Sequence, residues 1–153
     1  MNIGYYTSTL GTTDINTKIF SFLNSAIENN EIENGSVFYE DIAFNPMPTR
    51  FGVFNSTDIW YFTGTLLVSG FIQADSIKKV VNKFEPLYVY DGNEKNLLKL
   101  IDTISNMDVI VISKEDFEYV NRVCGQEPFL VEEFTTDKIR EILNERSKTS
   151  QAV

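Results

Sequence analysis

Asp108-Val109-Ile110-Val111-Ile112-Ser113 decides the fold. Successive aliphatic residues with none left polar to face solvent mark a strand covered on both faces, and such strands belong to parallel sheets lying between layers of helices. The run is far shorter than the roughly 20 residues that span a bilayer. After it, Phe117, Val120 and Val123 recur at helical spacing until Gly125; before it, Leu97, Leu98, Ile101 and Ile104 do the same, with Asn93 placed to cap them.

Further out the alternation repeats. Towards the C-terminus, Pro128 to Phe134 reads as another strand, and Thr136-Asp137 opens a helix using Ile139, Ile142 and Leu143. Towards the N-terminus, Leu87 to Tyr90 reads as a strand before the turn Asp91-Gly92-Asn93, and Ile77, Val80, Val81 and Phe84 have helical spacing. Leu66, Leu67 and Val68 suit a short helix, Asp58 to Phe62 (DIWYF) a strand, and Ser36 to Ile42 another. The chain opens with a β-prone run, Asn2 to Tyr6, and then a helix on Ile15, Ile19, Phe22, Leu23, Ala26 and Ile27. Strands alternating with helices predict βαβ units: a three-layer α/β domain, Rossmann-like or flavodoxin-like, with a mostly parallel sheet of five to six strands. One domain is expected over 1–145, with 146–153 a frayed polar tail.

The composition narrows the chemistry. The 153 residues carry 13 Lys and Arg against 22 Asp and Glu, a net charge of −9, and include no His and one Cys. A pI near 4.5 opposes nucleic acid, whose phosphates are gripped by Lys and Arg. Without histidine, and with Cys124 alone, neither a nitrogen and sulfur zinc site nor a Ser-His-Asp or Cys-His pair can be assembled. No metal and no cofactor are expected. The N-terminus MNIGYYTSTLG has no basic segment followed by a long apolar one, so the expected location is the cytoplasm, with no membrane contact.

In parallel α/β sheets, ligands sit beyond the carboxyl ends of strands, near the reversal of strand order. That rule selects loops holding Thr9, Gly11, Thr12 and Thr13; Thr63, Gly64 and Thr65; Asp91; and Ser113 as candidate ligand-binding residues. A glycine among hydroxyls before a helix can offer backbone N–H groups to a phosphate-bearing small molecule, although neither GxGxxG nor GxxxxGK[ST] occurs and Asp14 brings negative charge. Asp41, Asp91, Asp116 and Glu132 could gather at the same edge, where Mg²⁺ would find oxygen ligands, but caps and solvated surface are their commoner use. The segment from Phe44 to Phe54, with two prolines, fits no regular element. Long loops of that kind are usually functional, so Met47, Phe51 and Phe54 are the candidate docking surface for a protein partner or a second copy of the chain.

Two resemblances follow from these residues. Tyr6-Thr7-Ser8-Thr9-Leu10-Gly11-Thr12-Thr13 resembles the phosphate loop that opens flavodoxins, which implies flavin binding, yet the aromatic loops that sandwich a flavin have no counterpart. DIWYFTGTLLVSGF from Asp58, PLYVYDGN from Pro86 and NMDVIVISKEDFEYVNRVCGQEPFLVEEFTTDKIREIL from Asn106 together resemble the amino-terminal half of GT-B glycosyltransferases. That resemblance implies a Rossmann-like half with an acceptor-side cleft. In the family, the second half supplies most sugar-nucleotide contacts, and many members use a histidine base that this chain lacks. The expectation is a non-catalytic binding or interaction protein on a glycosyltransferase-like half. The alternatives are a glycosyltransferase or sugar-nucleotide-binding enzyme completed by a second subunit, and a flavin-binding protein.

Overall fold

In the computed structural model, residues 1–80 and 83–151 are described, the side chains of 149–151 excepted. Among the described residues, seven strands form one sheet in the order β3-β2-β1-β4-β5-β6-β7, and every neighbouring pair is parallel. The strands are β1 (Asn2–Thr9), β2 (Asn34–Asp41), β3 (Gly52–Asn55), β4 (Gly64–Ser69), β5 (Phe84–Tyr90), β6 (Asp108–Val111) and β7 (Phe129–Leu130). The helices are α1 (Asp14–Glu28), α2 (Phe71–Ile77), α3 (Leu97–Asn106), α4 (Lys114–Cys124) and α5 (Thr136–Gln151), with a 3₁₀ segment at Ser56–Tyr61. No helix among the described residues is long and apolar enough to cross a membrane.

Strand alternation sends side chains into two cores. Ile3 and Tyr5 of β1, Val37, Leu67, Leu87, Val89 and Ile110 face α1 and α5. Tyr6, Phe38, Leu66, Val68, Tyr88, Val109 and Val111 face the 3₁₀ segment and α2, α3 and α4. Both faces of the central strands are thus closed, as the unbroken apolar run at 109–112 requires. Gly4 belongs to this packing, because a Cβ there would lie 2.9 Å from the Phe62 ring.

Several local expectations are corrected. DIWYF is not a strand: Ile59 and Phe62 are buried while Trp60 and Tyr61 are exposed, and that i, i+3 spacing is the repeat of a 3₁₀ turn. Leu66, Leu67 and Val68 are not helical but form the buried middle of β4. The stretch from Phe44 to Phe54 hides β3, whose Val53 and Phe54 pair with Val37 and Phe38. Hence seven strands replace the five to six expected. The helix before β5 lies earlier than its predicted apolar set, on Phe71, Ala74 and Ile77; Phe84 begins β5, and Val81 lies outside the described residues. Asn96, not Asn93, caps α3, accepting from the Lys99 N–H at 3.2 Å. Pro128 to Phe134 contributes only the two-residue β7. Residues 146–151 of the polar tail lie in α5, which runs to Gln151, and Arg146 meets Glu85 at 3.4 Å and Asp108. Residues 152–153 of that tail lie outside the described residues.

Candidate functional site: a switch-point crevice and an aromatic edge

Strand order reverses at β1, which lies between β2 and β4, so the loops leaving β1 and β4 diverge and open a crevice. It is small, about 170 Å³, and is lined by Thr7, Ser8, Thr9, Thr13, Ile15, Ser69, Gly70, Gln73, Asp91, Asn93 and Glu94. Beneath it, the side chain of Asn16 is completely buried. Its Nδ2 donates to the carbonyls of Thr9 and Gly11, each at 2.8 Å, and its Oδ1 accepts from Tyr5 Oη at 2.7 Å and Thr7 Oγ1 at 3.1 Å. Tyr5 Oη also lies 2.9 Å from Ser69 Oγ, so one network ties β1, α1 and the end of β4 together. Burial pushes the Tyr5 hydroxyl up to about 12, which keeps it a neutral donor.

The first loop spends much of its polarity on itself. The Gly11 N–H donates to Thr9 Oγ1 at 3.0 Å, the Thr13 N–H to the Gly11 carbonyl at 3.1 Å, and Thr13 Oγ1 caps α1 by accepting from the Asn16 N–H at 3.1 Å. Glu94 Oε2 accepts from the Phe71 N–H at 3.0 Å, at the start of α2. Asp91 closes its own turn on Asn93 at 3.0 Å and 2.9 Å. Among the described residues, the lining holds two carboxylates and no Lys or Arg. Such a surface repels phosphate and suits uncharged hydroxyl groups.

Of the predicted ligand-binding residues, Thr9, Thr13 and Asp91 meet at this crevice. Gly11 and Thr12 share its first loop, with Thr12 exposed. Ser113 follows β6 and caps α4, accepting from the Asp116 N–H at 3.1 Å. Thr63, Gly64 and Thr65 lie elsewhere, because β4 begins at Gly64 and not before it; they are at the amino edge of the sheet. There Gly64 has φ of +132° and a Cβ would sit 2.5 Å from the Asn2 carbonyl oxygen, so backbone packing accounts for this glycine. Asp41, Asp91, Asp116 and Glu132 do not assemble: among the described residues no three acidic or cysteine side chains are placed to hold a metal ion.

The docking trio is also separated. Phe51 is 5% exposed, with its ring 5.1 Å from that of Phe20 on the α1 face, and Met47 packs on the same core. Phe54 turns to the opposite face and is 42% exposed, its ring 5.8 Å from Phe38. What joins Phe54 is the 3₁₀ segment, where Trp60 is 51% and Tyr61 86% exposed. Two hollows flank that segment. One, of about 320 Å³, is lined by Ser36, Phe38, Phe54, Asp58, Tyr61 and Phe62. The other, of about 390 Å³, includes Tyr6, Glu40, Ser56, Trp60, Ser76 and Lys79. Glu40 is held from below, accepting from Tyr6 Oη and, at 3.2 Å, from Gln73 Nε2. Desolvation, and then the adjoining Glu40, raise the Tyr6 hydroxyl well above its ordinary value.

Asn16, Glu40, Trp60 and Tyr61 were not among the sequence candidates. The Ile59/Phe62 spacing was the available sign that Trp60 and Tyr61 face outward. No family model, curated protein or solved structure matches this chain.

Proposed function

We propose that the chain is a non-catalytic binding protein that docks a basic protein partner along the edge formed by β3 and the 3₁₀ segment. It is built on a Rossmann-like half of the kind that opens GT-B glycosyltransferases, and with its single cysteine it suits the reducing cytoplasm. The observation that carries this reading is that exposed Phe54, on an edge strand that bears neither charge nor proline, lines one hollow with exposed Tyr61, next to exposed Trp60 in the 3₁₀ segment. Edge strands are ordinarily protected by such residues, and contiguous exposed aromatics mark interaction surfaces. Charge selects the occupant. The chain carries −9, and among the described residues Asp58 is the one charged residue lining the hollow beside Phe54 and Tyr61, so a basic surface is drawn in while a second copy is repelled.

The test is selection of peptides from a random library on the wild-type chain, with counter-selection on the Phe54→Ser/Tyr61→Ser double variant. Enriched peptides should combine Arg or Lys with apolar residues and weaken as salt is raised through roughly 0.1 M, where screening sets in. Acidic winners, or none that distinguishes the double variant, would overturn the proposal. A dimer in light scattering that the double variant abolishes would reassign the edge to self-association.

A further inference from the structure

The hollow beside Trp60 has a chemistry that the docking edge alone does not require. Its lining includes a carboxylate already oriented by two donors: Tyr6 Oη bonds one oxygen of Glu40 and Gln73 Nε2 the other. A carboxylate offers about four acceptor positions, so these two donors leave Glu40 capacity to accept more. Trp60 supplies an aromatic surface in the same lining, and the hydroxyls of Ser56 and Ser76 supply further acceptors. A planar cation has chemistry suited to each of these groups, because a guanidinium bonds a carboxylate through two parallel N–H groups and stacks on indole. The net charge of −9 favours a cation over an anion here, and among the described residues Lys79 is the one basic residue in the lining.

We infer that the hollow between Glu40 and Trp60 receives an arginine side chain of the docked partner. This rests on the docking reading for the source of the arginine, not for the chemistry of the hollow. The guanidinium reaches Glu40 along the Trp60 face, and Lys79 at the rim opposes it. No bond is made or broken.

Trp60 is the only tryptophan, so the intrinsic fluorescence of the full chain reports this hollow directly. The probe is N-acetyl-arginine amide, a single side chain with no terminal charge. Saturable change in Trp60 emission is expected in the millimolar range, with N-acetyl-glutamine amide giving none. Glu40→Gln should weaken binding by about tenfold, the scale of a lost charge-assisted pair, and Lys79→Ala should tighten it a few-fold. Lys79 is exposed, so its variant keeps the test decisive if Glu40→Gln folds poorly. Equal response to the glutamine probe or to a neutral methyl glycoside would overturn the inference, as would loosened binding in Lys79→Ala. Library peptides that bind wild type and Glu40→Gln equally would remove the arginine pocket and leave the docking edge standing. Saturation by the arginine probe when the library yields no peptide would do the reverse.

Discussion

Asn16 commits both ends of its side-chain amide inside the protein, holding two loop carbonyls with its nitrogen and two hydroxyls with its oxygen. Truncating it would remove four hydrogen bonds at buried or half-buried groups, each worth about 0.5–1.5 kcal/mol net. Asn16→Ala should therefore lose about 3 kcal/mol or more in urea unfolding, whereas Tyr5→Phe, which removes one hydroxyl, should lose about 1–2 kcal/mol. A smaller loss in Asn16→Ala than in Tyr5→Phe would mean that the loop is held by something else. The same tyrosine gives a pH prediction. Its folded pKa, about 12, lies above the ordinary 10, so between those values the unfolded chain has released a proton that the folded chain keeps. Stability from this group is intact below pH 10 and is lost as pH rises towards 12. Two units correspond to about 3 kcal/mol, and Tyr6, Tyr88 and Tyr90, all raised first by desolvation, act in the same direction. Urea midpoints compared at pH 9 and pH 11 should fall; a flat or rising profile would contradict this burial of tyrosine.

At the scale of elements, β3 shows what sequence pattern reveals and what it hides. Phe51 and Phe54 are three apart in a segment with two prolines, yet the strand turns them to opposite faces of the sheet. Phe51→Ala should therefore cost about 3–5 kcal/mol as a core truncation, while Phe54→Ser should cost distinctly less and act mainly on docking. Equal losses in chemical unfolding would show that both rings serve the core. β6, β5, β1 and α1 were legible because their apolar period is unambiguous over several turns or a whole strand. β3 was not, because only four residues pair and their exposed side chains break the alternation that a sheet centre would show. DIWYF misled for a related reason: its composition is β-prone, but burial needed only Ile59 and Phe62, and β4 already filled the neighbouring position in the sheet. The site shifts with it. Because the strand is β4 and not DIWYF, Thr63 to Thr65 enter a strand and do not follow one. Asn16 and Glu40 gave no signal, because an amide in a first helical turn and a carboxylate at a strand end look like surface until the fold brings Tyr5, Tyr6 and Gln73 against them.

For the whole molecule, charge and topology argue against the phosphate ligand that the Thr- and Gly-rich first loop suggests. Switch-point crevices bind nucleotides when loop amides and a helix N-terminus face the phosphates. Here the Gly11 and Thr13 amides are bonded within the loop, Asp91 and Glu94 line the opening, and among the described residues no basic side chain joins them, all within a chain of −9. A nucleoside diphosphate sugar would bring further negative charge into that field with nothing to offset its desolvation. UDP-glucose and GDP-mannose at about 1 mM should leave the melting temperature unchanged, since stabilisation by mass action becomes appreciable only when ligand well exceeds its Kd. The comparison needs sodium chloride of equal ionic strength, because screening the self-repulsion of −9 should itself raise stability. A saturable rise of several degrees beyond that salt control would place a diphosphate in the crevice and revive the sugar-nucleotide reading. A rise that the salt control reproduces belongs to the acidic surface and leaves the crevice without a diphosphate ligand.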